Sequence, residues 1–164
     1  MGNCRGFNSW DEEAKYYNSL TPEQQRHWRI EGHAYMVSLR PENRGRSPVE
    51  NWLQAEAENK RKEDLRQLWI EKSVTVDRTE KVRKSVIFYL AQKSDAPLTT
   101  FNDQTLLPQD VEQRSLLTQN VTWDLCAELL TLPETVQNIG QLTAFVIANY
   151  RRRQPRQHSP ARRW

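Results

Sequence analysis

Few side chains in this chain have the type and spacing to do chemistry. The three histidines, His27, His33 and His158, share no metal-ligand spacing. Cys4 lies near the terminus with no base beside it to form a thiolate. Cys126 sits inside an apolar helical stripe and is expected as a small core residue. His33, beside Ala34 and Tyr35, is expected on a helix surface. No Gly-rich phosphate loop and no G-x-S-x-G elbow occur. What remains is Ser115 in "LLPQDVEQRSLLTQN", just ahead of a leucine pair. Its hydroxyl could be an attachment point for a prosthetic group or the N-cap of the helix that follows. An N-cap accepts a backbone N–H and needs no further chemistry.

A second group of candidates recognises rather than reacts. Trp28, Tyr35, Trp52 and Trp69 fall at helical spacings that suit core anchors or an aromatic contact face. The last fourteen residues hold six arginines and no acid: Arg151, Arg152, Arg153, Arg156, Arg162 and Arg163, closed by Trp164. Guanidinium forks suit phosphate and carboxylate, and Trp stacks on bases or settles at a membrane interface. Nucleic acid, an anionic membrane surface and an acidic protein are the partner chemistries open to this tail. Without it, 18 basic residues face 21 acidic ones. The body is mildly acidic and has no basic stripe, so nucleic-acid contact is expected through the tail alone.

The elements that must position these residues read as helical. "LTPEQQ" and "RSPVEN" each join a capping residue, a proline at the first helical position and a Gln or Glu to close a capping box. Between them "RPENRGR" is a turn, with Pro41 ending one helix and Gly45 easing the reversal. The expectation is a helical hairpin over 20–72 with a long second helix. One arm offers Ile30, Ala34, Val37, Trp28 and Tyr35 to the seam, the other Val49, Trp52, Leu53 and Ala55. The charged run after Ala57 reads as a solvated face, with Glu58 placed to pair with Lys62. Residues 76–150 are expected as a small three- to four-helix bundle. Its middle helix should run from about Ser115 to Leu130, with Leu116, Leu117, Val121, Leu125 and Leu129 inward. Residues 1–19 are expected as a flexible lead-in and 151–164 as a disordered basic tail. "MGNC" partly matches an acylation signal, but position 6 is Gly rather than Ser or Thr.

Residues 29–57 resemble a bacterial hairpin family of unknown function through Ile30, Ala34, Tyr35, Gly45, Trp52, Leu53, Ala55 and Glu56. That resemblance implies a hairpin and no chemistry. Residues 77–150 resemble the acyl carrier protein fold, with "DVEQRSL" in register with the family's attachment motif and "NIGQLTAFV" with its closing helix. The resemblance implies phosphopantetheine on Ser115. Arg114 stands where that family has an acidic residue read by partners, which reverses the charge offered to a basic partner.

Together these features predict an all-α, cytoplasmic, non-catalytic adaptor or assembly factor that binds a protein partner. No metal and no small-molecule substrate are expected. The alternatives are a phosphopantetheine carrier and a weak nucleic-acid binder acting through the tail. Two cysteines far apart fit a reducing compartment, and no apolar run reaches the ~18 residues of a membrane span.

Overall fold

A computed structural model describes residues 6–153 of the chain. Among these residues the fold is all-α, with α1 (Trp10–Ser19), α2 (Pro22–Ser38), α3 (Pro48–Val74), α4 (Arg78–Ala91), α5 (Val111–Asp124) and α6 (Ile139–Ala148). Single 3-10 turns stand at Pro41–Asn43 and Leu98–Thr100. The chain divides between Lys62 and Glu63 into two compact units. The division lies inside the charged stretch of α3, ahead of the 72–76 boundary expected from sequence.

In the first unit the caps form as their residue types dictate. Thr21 and Gln24 exchange side-chain and backbone hydrogen bonds at the start of α2, and Ser47 and Glu50 do the same at α3. Such caps contribute about 1 kcal/mol each. Gly45 takes a φ of 84°, the left-handed conformation that the turn requires. Asn43 is buried and donates its amide to the Val37 carbonyl, which pins the turn to the end of α2. Residues 10–19, expected to be flexible, are helical. Ser9 accepts from the Glu12 N–H, and Asp11, Glu12 and Glu13 sit at the positive end of the helix dipole.

The seam between α2 and α3 is smaller than its sequence suggested. Ile30, Val37 and Ala55 are buried, with Ala34 and Trp52 packed against them. Tyr35, Val49 and Leu53 do not fill it; Tyr35 is 52% and Leu53 58% exposed. Contacts from the length of α2 converge on one short stretch of α3. His27 packs at a tilt against Trp52, Arg26 pairs with Glu56, and His33, with Arg40 from the turn beyond α2, reaches Glu58. A helix pair meeting over so short a stretch leaves much of each helix uncovered.

The second unit packs α4, α5 and α6 around Val82, Val86, Leu117, Val121, Ile139, Leu142 and Val146. The loop between α4 and α5 is stitched to the start of α6 by backbone bonds from the Ile139 N–H to Thr105 and from the Gly140 N–H to Asp103. A Cβ on Gly140 would come within 3.1 Å of the Asp103 Cβ, so the glycine allows this close approach. The middle helix differs from expectation at both ends. It begins at Val111, where Asp110 accepts from the Gln113 N–H as its N-cap. It stops at Asp124 instead of reaching Leu130. Cys126 takes a φ of 51°, the Ala127 N–H bonds the Thr122 carbonyl, and the Cys126 N–H bonds the Trp123 carbonyl. These two bonds make a Schellman ending, and burial of Ala127 completes it. Cys126 is therefore exposed at a helix end rather than buried in the core. Leu129 lies beyond the helix and is exposed, as is Leu116.

Candidate functional site

The structure places Ser115 on the exposed side of the second turn of α5, not at its N-cap. Asp110 has the capping role because it lies at the residue whose side chain reaches back to the third helical N–H. Next to Ser115, Arg114 turns inward. Its guanidinium donates to the carbonyls of Pro108 (3.4 Å), Pro133 (3.1 Å) and Val136 (2.6 Å). It gathers two loops onto the start of α5, with all three bonds to neutral carbonyls. A shallow depression between α4 and α5 lies nearby, lined by Tyr89, Leu90, Pro108, Leu116, Leu117 and Asn120 among others.

Two charged clusters were not visible from sequence spacing. The first centres on Glu58. Arg40 donates two parallel bonds to its oxygens at 2.6 and 2.9 Å, Gln54 donates one at 3.0 Å, and His33 Nε2 lies 2.6 Å from Oε2. The paired Arg40 guanidinium holds the Glu58 carboxyl well below its usual range, at about 2. Thus Glu58 pairs with Arg40 and not with Lys62, and His33 joins this network instead of standing on an open helix surface. A carboxylate with both oxygens occupied by arginine acts as a clasp across the turn rather than as a general base.

The second cluster lies in the other unit. Lys72 is only 5% exposed. Its Nζ is 2.7 Å from Asp124 Oδ2 and lies over the rings of Phe88 and Tyr89. The Tyr89 hydroxyl donates to the other Asp124 oxygen at 3.2 Å. Burial, followed by the Asp124 charge, pushes the Tyr89 hydroxyl up to about 12. A lysine and an aspartate 52 positions apart leave no local sequence signal; only the packing of the end of α3 onto α4 and α5 joins them.

The aromatic candidates separate into two groups. Trp28 is half-buried in a ring cluster with Phe7 and Tyr16. Trp52 is half-buried against the seam. Tyr35 and Trp69 are exposed. The arginines also separate. Arg151–Arg153 do not begin a disordered tail, because their backbone pairs with residues 126–128. The Glu128 N–H bonds the Arg151 carbonyl and the Arg153 N–H bonds the Cys126 carbonyl, each at 2.8 Å. Arg156, Arg162, Arg163 and Trp164 lie outside the described residues. The sequence reading missed Trp123, which is exposed at the end of α5 with the Arg153 guanidinium 5.2 Å above its ring.

Among the described residues no group of His, Cys, Asp and Glu could hold a metal ion. No helix there is long and apolar enough to cross a membrane. The chain matches no protein-family model, and no curated protein or solved structure shows significant similarity to it.

Proposed function

We propose that the chain is a non-catalytic adaptor that docks a protein partner through the α2–α3 pair. One observation carries this reading: near the turn, the pair carries exposed apolar side chains outside its seam. At 3.6 residues per turn, Ile30, Ala34 and Val37 share the side of α2 that meets α3. Tyr35, Met36 and Leu39 lie on the opposite side and are exposed. On α3, Trp52 and Ala55 face the seam while Val49 and Leu53 face away, exposed. The small seam leaves these side chains without cover inside the unit. Exposed apolar surface of this kind marks interaction sites. The Glu58 clasp supports the reading by holding the turn in one shape, which lowers the ordering cost of docking.

The test uses a photocrosslinking residue placed at Leu39 or Leu53, with a control at Gln67 on the charged part of α3. The expected result is one partner crosslinked from Leu39 and Leu53 but not from Gln67. Leu39→Glu and Leu53→Glu should then stop that partner from co-purifying while helical content stays unchanged. Co-purification unaffected by either substitution would refute the proposal.

A carrier role is a second reading, favoured by the exposure of Ser115 on the second turn of α5. Intact mass of the protein from its own host, compared with Ser115→Ala, decides it. A phosphopantetheine increment on the wild type alone supports the carrier. An unmodified wild type removes it.

A further inference from the structure

The end of the second unit where α5 and α6 finish and α4 begins collects arginines and aromatic rings. Arg78, the first residue of α4, places its guanidinium 3.9 Å from the centroid of the Tyr150 ring. The Tyr150 hydroxyl lies 3.4 Å from the Leu125 carbonyl, which ties this ring to the end of α5. From Tyr150 the chain runs directly into Arg151–Arg153, held against 126–128 by the backbone pairing. Side chains alternate along a paired extended segment, so Arg151 and Arg153 fall on one side and Arg152 on the other. All three are exposed. Trp123 is 68% exposed, with Arg153 over its ring.

The local charge is positive despite the acidic body. The acids at this end are Asp77, Glu80, Asp124 and Glu128; Asp77 accepts from the Glu80 N–H as the N-cap of α4, and Asp124 is paired with Lys72. Against them stand Arg78, Arg151, Arg152 and Arg153.

We propose that this arginine- and tryptophan-bearing end of the second unit binds single-stranded nucleic acid, with Arg78, Arg151 and Arg153 on phosphates and Trp123 stacked on a base. The ligand class follows from the pairing of the two residue types. Guanidinium groups match phosphate oxygens, and a flat exposed ring offers a sequence-tolerant platform for any base. An acidic peptide would engage the arginines but leave the Trp123 ring without use. A membrane surface calls for a continuous apolar face, and here the exposed apolar side chains, Val76, Trp123 and Leu129, are interleaved with Asp77, Glu128 and the arginines. A duplex hides the faces of its bases. This proposal is independent of docking through α2 and α3, since it concerns residues of the other unit.

Fluorescence anisotropy of a labelled oligothymidylate with the full chain at low salt tests it. Wild type should bind, with an affinity that falls as salt rises. Trp123→Ala should weaken binding by roughly fivefold or more, the loss of one stacked base, and Trp123→Phe should restore most of it. Arg151→Gln combined with Arg153→Gln should flatten the salt dependence by about 1.4 log units per log unit, two phosphate contacts at ~0.7 each. Glutamine keeps the backbone pairing, and circular dichroism checks that each variant is folded. No binding by wild type, or equal affinity in Trp123→Ala, overturns the proposal. So does loss confined to a variant with Arg156, Arg162 and Arg163 all changed to Gln. Tighter binding to polyglutamate or to phosphatidylserine vesicles than to the oligonucleotide also overturns it and assigns the site to that other partner.

Discussion

Cys126 shows how a single residue is fixed by its backbone rather than by its side chain. The left-handed conformation at the end of α5 brings the Ala127 and Cys126 N–H groups onto the Thr122 and Trp123 carbonyls. A side chain with a Cβ is strained there by about 1–2 kcal/mol, and glycine is not. Cys126→Gly should therefore raise stability toward urea by up to about 1 kcal/mol, the full relief being offset in part by the greater freedom of glycine in the unfolded chain. A decrease would show that the thiol contributes a contact that the backbone argument ignores. Arg114 makes the same point for charge. It occupies the position that a carrier-like reading reserves for partner recognition, yet its bonds go to three carbonyls of its own unit.

At the scale of the element, a charged clasp supplements the small core of the α2–α3 pair. The Glu58 carboxylate, lowered from 4.5 to about 2 chiefly by its bonds from Arg40, favours the folded state wherever it is ionised. A carboxyl group lowered in the folded chain stabilises above its unfolded value and loses that contribution as the pH falls toward its folded value. The stability of the first unit should accordingly decline between about pH 4.5 and 2. Because the group is partly open to solvent, the contribution is about 1–2 kcal/mol. Glu58→Gln should cost about that much at neutral pH and remove that part of the acid slope, read by denaturant unfolding at a series of pH values. Identical slopes in the two proteins would show that the clasp contributes nothing.

At the scale of the whole molecule, the two units differ in the core each can bury. The first encloses Ile30, Val37 and Ala55. The second encloses a longer set drawn from α4, α5, α6 and the loops between them. Local opening free energy follows the apolar contacts that must be broken. Backbone amides of α2 should thus exchange with solvent at least roughly tenfold faster than those of α4 and α6. When the α2–α3 partner is present, protection should rise at 35–39 and 49–53 and stay unchanged in α6. Uniform protection across both units in the free chain would contradict the difference in cores.

The sequence by itself determined the all-helical class, the starts of α2 and α3 and the turn between them. These are local matters: a capping box closes within four residues, proline sets its own φ, and glycine admits the left-handed turn at position 45. The start of α1 was equally legible at Ser9 and Glu12, three residues apart, though the reading passed over it. What only the tertiary structure decided depends on residues far apart in the chain. Periodicity marked Tyr35, Val49 and Leu53 as apolar, but which apolar face meets a neighbour is set by how α2 and α3 meet, and that packing left all three outside. Ser115 looked like a cap because it precedes a leucine pair, yet Asp110 starts the helix five positions earlier and turns Ser115 to solvent. The partners of Glu58, Lys72 and Arg114, and the joining of Arg78, Trp123 and Arg153 at one end of a unit, rest on long-range contacts. Such contacts form because burying apolar side chains brings the helices together, and charge then pairs across whatever distances that packing leaves.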